Sequence, residues 1–181
     1  MATDNQALTN SFPSPKIDEF RTEDLQWMRK ALLEAKKAHE KAEVPVGAIV
    51  VFNNQIISQA HNLKEALCNC LGHAEILALH RAQTKLERWR LNDCELYSTM
   101  EPCIMCAGAI QQARIRRLVF GASDPKAGGV VSLYGLLSDP RLNHQCRVVP
   151  HVLEKECREL LQNFFQKRRK ENRKERPLKT S

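Results

Sequence analysis

The sequence predicts an α/β domain in which helices cover both faces of a central, mixed sheet. Three observations predict it. Runs rich in β-branched residues alternate with segments of helical spacing from residue 22 onward. The first two such runs are separated by only two asparagines, which suits an antiparallel hairpin. Each later run follows a helical segment, and connections of that kind permit parallel pairing. The 181 residues are 43% hydrophobic, enough for one domain with a real core, and no internal repeat or domain linker divides them.

The elements follow in order. Residues 1–20 are rich in Ser, Thr, Asn and Pro and read as a disordered or loosely draped tail. Thr22 is placed to cap a helix, with Glu23 and Asp24 in its first turn. Leu25, Met28, Leu32 and Ala35 then recur at helical spacing. "VPVGAIVVF" and "QIISQA" read as strands joined at Asn53 and Asn54, and residues 61–72 as a loop. "GHAEILALHRA" is a helix whose apolar body begins at Ile76. "CELYSTM" is a strand, and "PCIMCAGAIQQARI" a helix with Pro102 in its first turn. "RRLVFGA" is a strand, "DPKAGG" a loop, "VSLYGLLSD" a short helix, and "CRVVPHV" a short strand. A long helix runs from Leu153. The expected division is a tail at 1–20, a folded domain at 21–166, and a basic helix end and tail at 167–181.

Charge and cysteine usage narrow the class. The net charge of +7 favours an anionic partner. "KRRKENRKERPLK", residues 167–179, holds eight basic and two acidic residues, most of that excess. This end is either a phosphate-binding surface or a solvated tail. Phe164 and Phe165 just before it are expected to anchor the helix on the core. Arg114, Arg116 and Arg117 form a second basic cluster, usable for RNA or for an interface. Seven cysteines, an odd number, lack the density of a disulfide framework and read as buried thiols or metal ligands in a reducing compartment. No run is long enough to span a bilayer, and the N-terminal residues lack an apolar leader core, so an intracellular location is expected.

Two short stretches carry chemistry. Cys103 and Cys106, spaced i, i+3 at a helix start, share one face, and the helix N-terminus favours their thiolates. A lone Cys-x-x-Cys also fits a redox pair or two buried thiols. His73 lies at a second helix start, directly after Gly72. If both helix starts point at one spot, these three side chains supply the ligand set of a catalytic zinc site, which leaves one position open. Glu75, in the first turn beside His73, then becomes a proton carrier rather than a mere partner of the helix dipole.

His-Ala-Glu at 73–75 with Glu-Pro-Cys-Ile-Met-Cys at 101–106 resembles the zinc-dependent nucleobase deaminases, whose signature is His-x-Glu followed by Pro-Cys-x-x-Cys. Within them the chain is most similar to the bacterial tRNA-specific adenosine deaminases. That similarity rests on "EVPVGA" at 43–48, Asn62, "CAGAI" at 106–110, and "VFGA" with Asp124 and Lys126. It also includes "NH" at 143–144 and "LLQNFFQKRR" near the end. The resemblance implies a three-layer α/β/α cytidine-deaminase-like fold with a mixed sheet of about five strands. It implies one Zn2+ per subunit on His73, Cys103 and Cys106, and Glu75 as proton shuttle. Ala74, through its backbone amide, and Asn62 become substrate contacts, and Lys167, Arg168, Arg169 and Lys170 candidate RNA contacts. The implied activity is hydrolytic deamination of adenosine to inosine at the wobble position of a tRNA anticodon, by a cytoplasmic homodimer acting on the anticodon stem-loop without a membrane.

Two other readings stay open. One is a deaminase of a free base or nucleoside such as guanine. The other is a zinc-stabilised RNA-binding module without catalysis, against which Glu75 and the three-ligand count speak. The chain departs from the family at "CNCLG", residues 68–72, where an Asp-Pro-Thr-Ala-like run is usual. Cys68 or Cys70 is there either a fourth ligand that closes the site or an unpaired loop thiol.

Overall fold

A computed structural model of the protein describes residues 16–174. In chain order it contains α1 (Thr22–Glu40), β1 (Gly47–Phe52), β2 (Gln55–His61), α2 (Ala74–Leu86), β3 (Glu95–Met100), α3 (Ile104–Ala113), β4 (Arg117–Ala122), β5 (Arg147–Val149) and α4 (Glu154–Lys174). The sheet order is β2-β1-β3-β4-β5. β1 is antiparallel to β2 and to β3, and β3, β4 and β5 are parallel. α1 and α4 touch each other on one face of the sheet, while α2 packs on the hairpin strands with α3 beside it. The result is the expected three-layer α/β/α sandwich.

The hairpin turn forms because Asn53 and Asn54 both accept positive φ, 47° and 57°, as a two-residue type I′ turn requires. α1 buries Met28, Ala31, Ala35 and Ala38 completely. Its alanines allow a very close approach to β1. A Cβ on Gly47 would lie 2.2 Å from the Ala31 carbonyl oxygen and 2.4 Å from the Ala35 nitrogen, so the strand must begin with glycine. This close approach fixes the end of α1 beside the start of β1. The C-terminal ends of β2 and β3 and the N-termini of α2 and α3 meet at that same end of the sheet.

Several local expectations change. Arg21, not Thr22, is the extended cap of α1, and the Asp24 carboxylate accepts the Arg21 N–H at 2.8 Å. Pro102 precedes α3 rather than opening it, because Cys103 stays extended as the cap. "VSLYGLLSD" forms only a 3-10 turn at Leu136–Ser138. The N–H groups of Val130, Val131 and Ser132 donate to the Glu101 carboxylate. Residues 16–18 are not draped. The Asp18 N–H donates to the Val148 carbonyl at 2.8 Å and the Val148 N–H to that of Lys16 at 3.0 Å, extending the sheet edge. The expected disorder of residues 1–15 and the tail beyond 174 lie outside the described residues.

Of the basic cluster at 114–117, Arg117 is withdrawn from the surface, whereas Arg116 stays exposed. Arg117 is fully buried, and all five of its N–H groups are used. Nη1 and Nη2 grip Asp24 at 2.8 Å each, Nε donates to Asp18 at 2.8 Å, Nη2 also to the Glu19 carbonyl at 2.8 Å, and Nη1 to Glu95 at 3.3 Å. The Tyr97 hydroxyl donates to Asp24 and lies 3.0 Å from Glu95. Arg21 and Arg116 close the network on Glu95. Arg114 caps α3 in the left-handed region and donates to the Asn143 carbonyl. Phe164 is buried as an anchor, whereas Phe165 is exposed.

Candidate active site

His73 and Cys103 occupy equivalent positions, each the extended N-cap of its helix, at φ −75° and ψ 144° for His73 and φ −69° and ψ 175° for Cys103. The His73 side chain does not cap its own helix, as a Ser or Asp would. Both His73 and Cys103 turn toward a common point. His73 Nδ1 lies 3.8 Å from Cys103 Sγ and 3.5 Å from Cys106 Sγ, and the three donor atoms all fall within 4.8 Å of one another. A zinc ion with bonds of about 2.0 Å to nitrogen and 2.3 Å to sulfur, at a tetrahedral angle, calls for N···S spacings near 3.6 Å. The donor set therefore fits zinc in both chemistry and spacing.

Electrostatics agree with that fit. Hydrogen bonding with Cys106, reinforced by His73, pulls the Cys103 thiol down to about 4 despite burial. The same bond and burial push the Cys106 thiol up. A divalent cation held between the two sulfurs would allow both to ionise. The hydrogen bond to Cys103 raises His73 above the usual imidazole range. Glu75 is buried, and burial lifts its carboxyl above the ordinary carboxylate range against its own backbone N–H, the His73 charge and Cys106.

The site opens into a cavity of about 200 Å3. Asn62, Lys64, His73, Glu75, Cys103 and Asp124 lie on its polar side. Val44, Val46 and Met100 supply apolar walls, the surroundings a flat base needs. Asn62 is buried, its backbone N–H donating to the Val46 carbonyl at 3.0 Å and its amide reaching Glu43 at 3.4 Å. Ala74, buried at the first position of α2, has one of the N–H groups a helix leaves without an internal partner. Lys167, Arg168, Arg169 and Lys170 are exposed on α4 and do not line the cavity.

Cys68 and Cys70 do not join the ligand group. Both are exposed on a loop pinned at its neck by the Leu63 N–H to Gly72 carbonyl bond of 2.9 Å. Two positioning residues carry no assignment from the sequence. Buried Glu43 accepts the Ala66 N–H at 2.8 Å and so ties that loop to Asn62. Buried Glu101 accepts N–H groups from Asp124, Val131 and Ser132 and the Ser132 hydroxyl, holding residues 124–132 against Cys103. Burial would raise its carboxyl, but the Ser132 and backbone donors outweigh that and hold it low. The only local signal for either is an acidic residue beside an apolar strand.

A deaminase of nucleobases is the class that this sheet and this His-Cys-Cys-Glu cluster define. The family of MafB19-like deaminases matches residues 22–169. The tRNA-specific adenosine deaminase of Bacillus subtilis is 48% identical over 152 residues, covering 84% of this chain and 94% of that protein. The corresponding protein of Aquifex aeolicus is 49% identical over 143 residues, covering 79% and 94%. A structure from studies of A-to-I editing by tRNA:A34 deaminases at the wobble position of transfer RNA superposes with a TM-score of 0.73. It is 42% identical, covering 75% of this chain and 99% of that one. The chain belongs to the tRNA-specific adenosine deaminase family.

Proposed function

We propose that the protein deaminates the wobble adenosine of a tRNA anticodon to inosine. The observation that carries this reading is the buried Glu75 beside the His73, Cys103 and Cys106 donors, in a chain nearly half identical to tRNA-specific adenosine deaminases. The net reaction is adenosine plus water to inosine plus ammonia. A zinc ion on His73 Nδ1 and the two cysteine sulfurs, one per subunit, would supply Lewis acidity that makes water a better acid. Val44, Val46 and Met100 hold the base by its faces, and Asn62 hydrogen-bonds the nucleoside. The Ala74 N–H faces the entering oxygen. Glu75 takes a proton from water and hands it to N1 of the ring as the oxygen adds at C6; it then takes the second proton, from the new C6 hydroxyl, and delivers it to the amine, which leaves as ammonia. Its raised pKa suits a group that must both accept and donate near neutrality.

A base in a duplex cannot reach such a cavity, whereas an anticodon loop can splay one out. The reading includes a cytoplasmic homodimer. Exposed Trp89, which lines the α2–α3 groove with Ile76 and Ala109, supports self-association there. Among the described residues, no helix is long and apolar enough to cross a membrane. The test is ammonia release assayed in parallel with an anticodon stem-loop, guanine and cytidine, with inosine identified at the wobble position. Ammonia from guanine alone would move the activity to the free-base reading.

The basic end of α4 contributes phosphate contacts in this reading. Removing residues 168–181 is expected to weaken stem-loop binding and to flatten its salt dependence. The log–log slope should change by roughly 0.7–0.9 for each phosphate that the tail neutralises. Binding isotherms at several salt concentrations measure it, and an unchanged slope would return the tail to the solvated reading.

A further inference from the structure

α1 and α4 run side by side in the same direction. Lys36 faces Glu156 and Leu160 across a shared groove, and one turn later the His39 ring meets the Phe164 ring edge-on, with centroids 5.8 Å apart. Both helices therefore finish at the end of the sheet where the cavity opens, since the chain leaving α1 reaches Val44 and Val46 in the cavity wall. α4 continues from Phe164 to Lys174, about 15 Å at 1.5 Å per residue. Lys167 and Arg168, three and four residues beyond Phe164, share its face.

The C-terminal end of α1 and its cap carry three lysines toward this end. Lys37 and Lys41 are one turn apart on the side facing β2. Lys37 Nζ bonds the buried Glu34 at 2.5 Å, and Lys41 Nζ lies 3.1 Å from Nε2 of His61, the residue before Asn62. Lys36 is exposed on the side facing α4. Besides Glu34 beside Lys37 and Glu156 across the groove from Lys36, the two terminal segments hold Glu40 and Glu171 as counter-charges. Among the described residues, none of Lys36, Lys167 and Arg168 is ion-paired. Cations thus run from the overhang of α4, across the end of α1, to the residue beside Asn62.

We propose that Lys36 and Lys41 join the basic end of α4 in one surface that holds the ribose-phosphate backbone of the RNA substrate outside the cavity. The proposal rests on the tRNA reading. Its physical basis is continuity: a nucleotide whose base enters the cavity brings its own backbone to the mouth, and the neighbouring phosphates must leave along some path. A row of exposed ammonium groups beside Asn62 is such a path, and the attraction is to charge rather than to sequence.

The test compares the wild-type full-length chain with Lys36→Gln/Lys41→Gln, leaving Lys37 in place because it neutralises Glu34. Affinity for an anticodon stem-loop is measured between about 50 and 200 mM salt, where phosphate binding dominates the salt response. The double variant should bind about tenfold more weakly at the lower salt, with a slope flatter by roughly 0.7–0.9 for each phosphate the two lysines neutralise. Its kcat at saturating RNA should be unchanged, and Lys36→Arg/Lys41→Arg should restore affinity. A folded double variant, judged by its melting temperature, with wild-type affinity and slope would overturn the proposal and leave the surface to another partner or to solvent. If the double variant does not fold, Lys36→Gln alone, on the exposed face, decides it by the same readout. Failure of the wild type to form inosine in the same stem-loop would instead sink the functional reading, because binding is scored separately from product.

Discussion

Glu75→Gln is expected to leave the protein folded and zinc-loaded while lowering inosine formation by about 10^2–10^4-fold, the range that general acid–base catalysis supplies. The substitution keeps the shape of a buried side chain but removes its titratable proton. It touches none of the three candidate ligands, so zinc content by elemental analysis should stay at one per subunit. His73→Ala or Cys103→Ala should differ in kind, losing metal and activity together, because each removes a donor atom. A metal-loaded Glu75→Gln enzyme retaining more than about a tenth of wild-type kcat would exclude Glu75 as the proton carrier. A variant that loses zinc would place Glu75 among the groups that hold the metal instead.

Arg117→Met should cost about 3–5 kcal/mol of folding stability, the usual effect of breaking a buried ion pair from one side. Single domains have only about 5–15 kcal/mol in total, so the urea midpoint should fall steeply. The destabilisation comes from what remains: Asp24 is fully buried, and methionine offers neither it nor Glu95 a proton. The pH dependence carries the same information. Burial works to raise the carboxyl pKa of Asp24, but hydrogen bonds from Arg117, the Arg21 backbone and Tyr97 win and hold it below its ordinary value. Glu95 is likewise held low against burial, by Arg21, Tyr97 and Arg116. Depressed carboxylates add stability above their unfolded pKa values, near 3.9 and 4.3, and lose it as pH falls through the lower folded values. Wild-type stability should therefore drop on acidification below about pH 4. In Arg117→Met that drop should shrink or reverse, since an unpaired buried carboxylate gains by taking up a proton. A loss under about 1 kcal/mol with an unchanged pH slope would show that the network contributes little.

The chemistry of the site is legible in short segments because each reactive residue is presented by its own helix start. His73 and Cys103 are caps, and Glu75 and Cys106 lie within the following turn. Spacing along the chain therefore names the donors. The supporting residues are not legible, because their partners are distant in sequence. Arg117 reads as part of an exposed basic cluster and is instead bonded to Asp24, 93 residues away. Glu101 lies inside the cysteine motif without a role of its own there, yet its carboxylate organises a loop some 30 residues on. Glu43 likewise reaches across to Ala66. At "VSLYGLLSD" only a 3-10 turn forms, and the carboxylate that gathers the N–H groups at its start, that of Glu101, is likewise distant in sequence.

By itself the sequence determined the order of helices and strands, the hairpin at Asn53–Asn54, and the candidate roles of His73, Glu75, Cys103 and Cys106. All of these follow from backbone propensity or from side-chain chemistry at a fixed local spacing. Only the tertiary structure decided that two helix starts converge to bring the three donor atoms within 4.8 Å, and that Cys68 and Cys70 stand apart. It also decided that Arg117 is buried and that the ends of α1 and α4 emerge together at the cavity. Those outcomes depend on which surfaces pack together: a charge is exposed or buried according to what the sheet and its helices place over it.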